Sequence, residues 1–310
     1  MKYIGVGLIA FVVSYILTPY MAQVGKKQNM VDLPDHRKIH EKAIPNLGGI
    51  AIFFGFLLSL LFIVPMEGPI KITLAAGVII LLLGIVDDIV DLSPQHKFLI
   101  QMGPALIVII FNNEGIINFI NTPLKSFGLL GYLVYPVLVL WIVGVTNSIN
   151  LIDGLDGLAG GISVISLITL FILGLNTGSQ NFETFNLLSI ALASSILAFL
   201  RFNFYPAKIF LGDSGSTFAG FMLASLGALW VLNSENVFFA FIPPLVLALP
   251  ILDTLFAIFR RYRNHRPIFQ ADKGHLHHRL LNRGIAHQKV VLILWGVSAL
   301  SSLLALILVL

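Results

Sequence analysis

Apolar residues occur along this chain in long, nearly uninterrupted runs, separated by short polar segments. A membrane-spanning helix needs about 20 mainly apolar residues. The pattern therefore predicts an all-α polytopic membrane protein in which residues 1–310 form a single domain, with about ten transmembrane helices. These helices are predicted at about 4–24, 47–65, 70–86, 98–111, 131–149, 158–175, 184–200, 214–232, 237–259 and 290–310.

The composition supports a membrane protein and excludes several other classes. Hydrophobic residues make up 57% of the chain and charged residues 11%, whereas soluble domains have about 45–50% and about 25%. Because the chain has no cysteine, disulfide scaffolds, thiolate nucleophiles and thiolate metal sites are excluded. The first apolar run lacks a small-residue cleavage site, so we expect a transmembrane helix there rather than a signal peptide.

The basic residues predict how these helices are oriented. With ten spans, the loops at 25–46, 87–97, 147–157, 201–213 and 260–289 share one face, and all but three of the 19 basic residues lie there. The positive-inside rule makes this face cytoplasmic and places both termini outside. The net charge of +4 is then explained by membrane topology and does not indicate a nucleic-acid partner.

Aspartate and histidine are concentrated on the same face, although the positive-inside rule makes no demand on either. All ten Asp and all eight His lie on or next to the predicted cytoplasmic loops, whereas Glu67, Glu114, Glu183 and Glu235 lie on the other side. A solvated surface would mix Asp with Glu. The segregation therefore predicts an active site on the cytoplasmic loops, at the membrane surface.

Two adjacent carboxylates, Asp87 and Asp88, end the third predicted span, and Asp91 follows three residues later. Their repulsion and desolvation at a membrane boundary call for a compensating cation or water. Hard carboxylate oxygens suit Mg²⁺, which bridges readily to substrate phosphates. A solvated loop with helix-flanking acids, or the aspartate motif of a membrane prenyltransferase, would produce the same local sequence.

Two further segments combine aspartate with Gly, Ser and Asn. The segment at 147–157 follows the fifth span, and its Asp153 and Asp156 can face one side if they are helical. The segment at 212–216, Gly-Asp-Ser-Gly-Ser, opens the eighth span, where the N–H groups of a helix N-terminus favour phosphate. Asp213 is then either a Mg²⁺ ligand or an ordinary N-cap.

The last predicted cytoplasmic loop contains His275, His277 and His278 within four residues. The cluster indicates a metal site or phosphate contacts by imidazolium, although zinc would need additional spaced ligands. The arginines at 260–266 either contact substrate or only fix the topology.

The ninth predicted span contains Asp253 and the prolines at 243–250. An intramembrane carboxylate is a functional candidate by default, and an ion pair with Arg260 or Arg261 is an equal alternative. The prolines should bend the helix, and a bent span can open a groove towards the lipid.

The four motifs resemble, in order, those of the polyprenyl-phosphate N-acetylhexosamine-1-phosphate transferase family. They are Asp-Asp-x-x-Asp, Asn-x-x-Asp-Gly-x-Asp-Gly, Gly-Asp-Ser-Gly-Ser and His-x-His-His, and the resemblance spans essentially the whole chain. The segment at 274–279, Gly-His-Leu-His-His-Arg, resembles the WecA/TagO-type GlcNAc branch rather than the phospho-MurNAc-pentapeptide translocase branch.

This resemblance implies an enzyme of the bacterial plasma membrane that transfers GlcNAc-1-phosphate from UDP-GlcNAc to undecaprenyl phosphate and releases UMP. It implies Mg²⁺ as the cofactor, with Mn²⁺ as a substitute, and a homodimer is compatible with it. The reaction would be the first membrane step of a cell-wall or surface-polysaccharide pathway. Matched by motif, the expected catalytic residues are Asp87, Asp88, Asp213, His275, His277 and His278. The expected metal ligands are Asp213 and Asp88. The expected substrate-binding residues are Lys42, Asn147, Asn150, Asp153, Asp156, Asn203 and Phe210.

Three alternatives remain open at the level of the sequence. A phospho-MurNAc-pentapeptide transferase would share the fold and the mechanism. A membrane prenyltransferase would leave the segments at 212–216 and 275–278 without a role. An ion-coupled transporter would place its carboxylates near the bilayer midplane rather than at one surface. Within the transferase interpretation, the mechanism also stays open, because an aspartate nucleophile that forms a covalent phospho-sugar intermediate is compatible with the motifs.

Overall fold

The structure is a computed structural model that describes residues 1–33, 43–61, 68–121, 124–176, 182–234, 236–270 and 274–310. Lys42 lies outside the described residues, so its predicted contact with substrate stays a prediction.

The strands β1 (Val31–Asp32) and β2 (Ile44–Pro45) form a small antiparallel sheet. The helices are α1 (Lys2–Lys27), α2 (Gly48–Leu61), α3 (Gly68–Val90), α4 (Pro94–Phe111), α5 (Asn113–Asn121), α6 (Val134–Ile152), α7 (Leu158–Asn176), α8 (Glu183–Asn203), α9 (Gly212–Leu232), α10 (Ile242–Val246), α11 (Ala248–Arg263), α12 (Leu276–Leu281) and α13 (His287–Val309), with 3₁₀ helices at Lys125–Leu133 and Val237–Phe241.

Most of these helices are long and apolar enough to cross a membrane. Within the described ranges seven qualify alone, and the number rises to nine if each of two bent helix pairs forms one span. The second predicted span corresponds to α2, a shorter apolar helix of 14 residues. The chain is therefore a polytopic helical membrane protein. The count of ten spans, the external termini and the single domain stay predictions.

Several helices continue beyond the apolar runs from which they were predicted, and two of them carry site residues in the added turns. α3 passes residue 86, so Asp87 and Asp88 lie in its last turns and not in a loop. α6 likewise includes Asn147 and Asn150. The backbone hydrogen bonds of a helix are made within the helix whichever side chains it carries, so the change from apolar to polar residues marks the membrane boundary and not the end of the helix.

The ninth predicted span is broken, as its prolines indicated. The 3₁₀ helix and α10 meet α11 at an angle of 81°, with Leu247 between α10 and α11. Pro243 and Pro244 stand in the first turn of α10, where a missing N–H costs nothing. The predicted bend is confirmed, and it directs the polar end of α11 towards the loop that carries the histidines.

The centre of the bundle is α9, which contacts α2, α3, α6, α7 and α8. In the most apolar 18-residue stretch of α9, 89% of the residues are buried inside the protein. The corresponding stretch of α1, at the periphery, has 28% of its residues buried. Serine, alanine and glycine are frequent in α9, and small residues let membrane helices approach closely. The first turn of α9, which carries Asp213, is thereby surrounded by other helices.

Two glycines decide how closely the neighbouring helices approach that turn. A Cβ added at Gly49 of α2 would overlap the backbone of Gly215, and one added at Gly84 of α3 would overlap the backbone of Ser214. The backbone therefore packs directly on backbone at both points. Since Gly84 lies one turn before Asp87 and Asp88, this contact brings both carboxylates to the start of α9.

Candidate active site

A cavity of about 350 Å³ opens where α3, α6 and α9 reach the loops of the predicted cytoplasmic face. Its lining is rich in carboxylate and amide oxygens. Eight predicted site residues contribute to it, namely Asp88, Asn150, Asp153, Asp156, Asn203, Phe210, Asp213 and His278. The four other predicted site residues in the described part of the chain lie behind this lining, at Asp87, Asn147, His275 and His277.

Asp88 is held at the N-terminus of α9. Its carboxylate oxygens accept hydrogen bonds from the backbone N–H groups of Asp213 (2.8 Å) and Ser214 (3.1 Å), and Asn46 Nδ2 donates to the same group at 3.3 Å. The sequence indicated that these N–H groups would favour phosphate. The structure instead shows two of them bonded to a carboxylate of α3, which fixes Asp88 beside Asp213.

Asp213 projects into the cavity between partners from two other helices. Asn150 of α6 donates to its Oδ1 and to Ser216 Oγ, while Lys97 of α4 lies 3.2 Å from its Oδ2. About 31% of the Asp213 side chain remains exposed. Its position is therefore fixed on one side while the other side is open to a ligand.

Lys97 is a site residue that the motifs did not identify. It forms an ion pair with the buried carboxylate of Asp87 and a second one with Asp213, so a single ammonium group bridges α3 and α9. Asp87 also accepts the backbone N–H of Leu92 at 2.9 Å. The signal in the sequence was a lone basic residue in the predicted 87–97 loop, which the positive-inside rule appeared to explain completely.

The turn between α6 and α7 is fastened to the loop before α9. Asp156 accepts the N–H of Ala207 at 2.9 Å, and Asn203 bridges the N–H of Gly157 (2.9 Å) to the carbonyl of Ile209 (3.0 Å). Both side chains line the cavity, and both form hydrogen bonds with backbone groups of these loops. Their predicted contact with substrate stays a prediction. Their hydrogen bonds to the backbone fix the shape of the cavity wall.

Asp153 experiences the accumulated negative charge of the cavity. Burial raises the pKa of this carboxyl well above its usual range, and the charges of Asp213, Asp88 and Asp156 raise it further. A cation in the cavity would oppose both effects by stabilising the ionised form. The electrostatics of the cavity therefore favour binding of a positive ion.

The donor set fits Mg²⁺, which prefers carboxylate, amide and water oxygens. Among the described residues, however, no group of three or more His, Asp or Glu side chains is arranged to hold a metal ion by itself. Mg²⁺ commonly binds through one or two carboxylates and completes its coordination with water and substrate phosphate. Asp213 and Asp88 are therefore suited to hold the ion together with a phosphorylated substrate.

The three histidines of the last loop have different surroundings. His275 Nδ1 lies 2.8 Å from the Asp253 carboxylate, and His278 lines the cavity. His277 is buried against Gly154, where an added Cβ would overlap its ring. Burial, assisted by the charges of His278 and His275, lowers the pKa of His277 to about 3. The lowered pKa favours the neutral form of His277 near pH 7, and its predicted role in catalysis stays a prediction.

Asn147 is directed away from the cavity. Its Nδ2 donates to Gln101 Oε1 of α4 and to the carbonyl of Val143, one turn earlier. On α6, Asn150 lies three residues further along and reaches Asp213 instead. The sequence could not distinguish these two asparagines, because the helical continuation of α6 decides which of them faces the cavity.

Tyr205 and His287 are two further cavity residues that the motifs did not single out. Their rings lie 4.4 Å apart and inclined by 31°, and both line the cavity on the side of Asp156 and Asn203. The concentration of histidines on one face was the only signal for His287. No signal in the sequence indicated Tyr205, which lies in the 201–213 loop.

Comparison with known proteins places the chain in a family. A model described as glycosyl transferase family 4 matches residues 70–231, more than half of the chain. The chain belongs to glycosyl transferase family 4. The matched region runs from α3 to α9 and contains the acidic residues from Asp87 to Asp213. With its apolar helices, this family 4 member is a multi-pass bacterial membrane protein.

Curated relatives extend the similarity beyond that region. A probable undecaprenyl-phosphate N-acetylglucosaminyl 1-phosphate transferase of Bacillus subtilis is 41% identical, over 97% of this chain and 84% of the relative. An undecaprenyl-phosphate alpha-N-acetylglucosaminyl 1-phosphate transferase of Thermotoga maritima is 31% identical, over 95% and 87%. A decaprenyl-phosphate N-acetylglucosaminephosphotransferase of Mycobacterium tuberculosis is 34% identical, over 94% and 78%.

Proposed function

We propose that this family 4 protein transfers GlcNAc-1-phosphate from UDP-GlcNAc to undecaprenyl phosphate and releases UMP. The observation that carries the proposal is the convergence of Asp88, Asp153 and Asp213 at one cavity, at the polar end of an apolar helix bundle, with Lys97 paired to Asp213. The names of the relatives supply the acceptor and the transferred group, and UDP-GlcNAc is the donor that the resemblance of the motifs implies. Membership of the family favours this reaction over prenyl transfer and ion transport.

The charges of the reactants explain why such a cavity is needed. A diphosphate diester carries about two negative charges and a phosphomonoester about −1.5 to −2 at pH 7. Bringing them together requires cationic or hydrogen-bonding groups that act where charge accumulates. Lys97 supplies one positive charge at Asp87 and Asp213, and Mg²⁺ at Asp213 and Asp88 would polarise the phosphoryl oxygens of the donor and screen the remaining charge.

In the proposed step, an oxygen of the acceptor phosphate attacks the β-phosphorus of UDP-GlcNAc. The bond between that phosphorus and the bridging oxygen breaks, and UMP leaves with the bridging oxygen. Since the second pKa of a phosphomonoester is near 6, the attacking group is already mostly ionised and needs no strong base. Asp87, buried in its ion pair with Lys97, is therefore a positioning group and not the base.

The nucleotide and the lipid approach from different sides in this proposal. Phe210 and Tyr205 line the cavity wall and offer aromatic surfaces to the uracil. The bent helix α11 exposes Leu252, Leu255 and Phe256, an apolar face on which the polyprenyl chain can lie. In this proposal the reacting phosphates meet at the cavity, at the membrane surface.

We further propose that this surface is cytoplasmic, because cytosolic UDP-GlcNAc must reach it. The distribution of basic residues supports this side, as only Lys2, Lys71 and Lys125 are assigned to the other one. Ten spans with both termini outside are consistent with that orientation.

The experiment that tests the reaction uses the purified full-length protein in detergent, with sugar-labelled UDP-GlcNAc and undecaprenyl phosphate. We expect label in the organic phase that depends on the lipid phosphate. Asp213→Asn should abolish it, whereas Glu183→Gln, which removes a carboxylate from an exposed ion pair with Lys2 far along the chain, should not. No labelled lipid from the wild-type protein would refute the proposal.

Removal of the metal is a separate prediction. EDTA should stop the transfer, and Mg²⁺ should restore it, with Mn²⁺ as a partial substitute, because the carboxylate cavity alone cannot compensate the phosphate charges. The initial rate measured against free Mg²⁺ gives the dependence. An unchanged rate in EDTA would contradict the metal assignment while leaving the reaction intact.

Donor selectivity is predicted from the histidine loop and the names of the relatives. We expect UDP-GlcNAc to be used far better than UDP-glucose, since a site that hydrogen-bonds an acetamido group discriminates against a donor lacking it. UDP-MurNAc-pentapeptide also carries an acetamido group, and we expect it to be used poorly because the segment at 274–279 resembles the GlcNAc branch. A competition assay with the three donors measures this. Preference for the pentapeptide donor would retain the fold and the mechanism but assign the protein to the peptidoglycan-precursor branch.

A further inference from the structure

A buried carboxylate of α11 holds the loop that carries the histidines. Asp253 is 4% exposed, and its Oδ2 lies 2.8 Å from His275 Nδ1 while its Oδ1 accepts the backbone N–H of Leu276 at 2.9 Å. An ionised carboxylate only accepts hydrogen bonds, so the proton of His275 stands on Nδ1. Within the described ranges, Asp253 therefore pairs with His275 and with the backbone of Leu276, and not with Arg260 or Arg261, which the sequence left as an equal alternative.

The two arginines support the same loop at other points. Arg261 is 8% exposed and donates from Nη1 to the carbonyl of Ile268 at 2.6 Å. The guanidinium of Arg260 lies against Gly274, where an added Cβ would come within 2.5 Å of Arg260 Nε. Asp253, Arg260 and Arg261 span about two turns of α11. The polar end of this helix is thus a fixed support for the chain that leads into α12.

From this support the imidazole rings lead towards the cavity. The rings of His275 and His277 are nearly parallel with centroids 5.8 Å apart, and those of His277 and His278 are 4.3 Å apart. His277 is wedged against Gly154 of the turn between α6 and α7. The loop is therefore fixed at Asp253 on one side and at Gly154 on the other, with His278 facing the cavity.

We propose that Asp253 and His275 are positioning residues, and that His278 alone of the three histidines meets the substrate. The proposal rests on the proposed transfer reaction and assigns a separate role to each histidine. His275 anchors the loop through Nδ1, the neutral His277 packs against Gly154, and His278 presents its ring to the phosphates or the sugar of the donor. Asp253 acts on the reaction only through the position of His278.

A double-mutant cycle separates positioning from general destabilisation. Displacing a reacting or binding group by about 1 Å can cost about 100-fold in rate, and we expect a kcat loss of that order for Asp253→Asn. Residues that act as one unit are strongly non-additive. In a His278→Ala background, Asp253→Asn should therefore change kcat little further. If the kcat losses of the two single variants multiply in the double variant, Asp253 acts independently of His278, and the proposal is overturned.

A second pair of variants keeps the test decisive if Asp253→Asn does not fold. An Asn side chain places its Nδ2 near the position of an imidazole Nδ1, whereas the amide of Gln reaches the position of Nε2. His275→Asn should thus restore most of the activity that His275→Ala loses, and His275→Gln should restore much less. If His275→Asn is as inactive as His275→Ala, then His275 acts chemically and the proposal fails.

The controls separate this proposal from the proposed function. Wild-type protein must form labelled lipid from UDP-GlcNAc, and without that product it is the transfer reaction that fails. Glu183→Gln controls for the loss of one carboxylate, and elution as a single species on size exclusion controls for folding. With an active wild-type protein, the cycle and the His275 pair report on Asp253 and His275 alone.

Discussion

At the scale of single residues, the site is organised by pairing its carboxylates with compensating groups, of which Lys97 is shared by Asp87 and Asp213. Asp87 is neutralised by Lys97, Asp88 by the first N–H groups of α9, and Asp213 by Asn150 together with Lys97. Burying a charge is costly unless it is paired, so these contacts allow several acids to lie side by side. Asp153 has the weakest compensation, and burial among like charges raises its pKa.

Lys97 should be essential because it serves two carboxylates at once. Lys97→Met leaves Asp87 buried without a counter-charge and removes one cation from the phosphates, and we expect kcat/KM to fall by roughly 100-fold or more. Lys97→Arg should retain part of the activity. Lys125→Met, which removes a lysine assigned to the opposite face, serves as the control. Wild-type kinetics in Lys97→Met would remove Lys97 from the site.

Gly154 should matter because His277 occupies the space where a side chain would stand. Gly154→Ala would push His277 away from the turn and displace the histidine loop, and a shift of about 1 Å suffices for a loss of about 100-fold in kcat. Gly296→Ala is the matched control, since a Cβ there meets no atom within 4 Å. Equal activity of both variants would show that this contact is dispensable.

The residue types of the site could be predicted from the sequence, but their individual roles could not. Asp88, Asp153 and Asp213 do line one cavity, because motifs at the ends of the third, fifth and eighth predicted spans are brought to the same face. Whether Asn147 or Asn150 faces that cavity depends on how α6 is rotated, and the identity of the partner of Asp253 depends on where a distant loop folds back. Neither is encoded in a local pattern.

At the scale of elements, the site depends on how closely α2 and α3 approach α9. Gly49 and Gly84 allow backbone to touch backbone at the first turn of α9, and this contact places Asp88 within hydrogen-bonding distance of Asp213 N. The sequence indicated the spans themselves and the bend before α11. The ends of α3 and α6 were misplaced because hydropathy reports the membrane boundary and not the end of a helix.

Gly84→Ala should therefore impair the enzyme although Gly84 touches no substrate in the proposed mechanism. The added methyl group would push α3 away from α9 and separate Asp88 from the N–H groups it binds, and we expect kcat to fall by about 100-fold. Gly103→Ala of α4, where a Cβ meets nothing within 4 Å, is the control. If Gly84→Ala matched Gly103→Ala in rate, the close approach would not be needed for activity.

At the scale of the whole molecule, the acidic cavity and most basic residues lie at the same end of the bundle. The positive-inside rule predicts that this end is cytoplasmic, where a nucleotide sugar would be available, and this orientation is part of the proposal. The chain contains no cysteine, so single introduced cysteines report topology without background.

Gln95→Cys at the start of α4 and Glu114→Cys at the start of α5 test the orientation. Both positions are exposed, and they lie near opposite ends of α4. In intact cells, a membrane-impermeant maleimide should label Glu114→Cys and should reach Gln95→Cys only after the cells are permeabilised. Labelling in the inverse pattern would separate the cavity from cytosolic UDP-GlcNAc and contradict the account.

The central claim is that a sugar phosphate, and not a sugar alone, moves to the lipid. UDP-GlcNAc labelled with ³²P at the β-phosphorus tests it directly, using purified protein, undecaprenyl phosphate and Mg²⁺. We predict that the label enters the lipid fraction in a ratio of one to one with unlabelled UMP, and that Asp213→Asn gives neither product. Label that stays in released UDP, or lipid glycosylated without ³²P, would contradict the assignment.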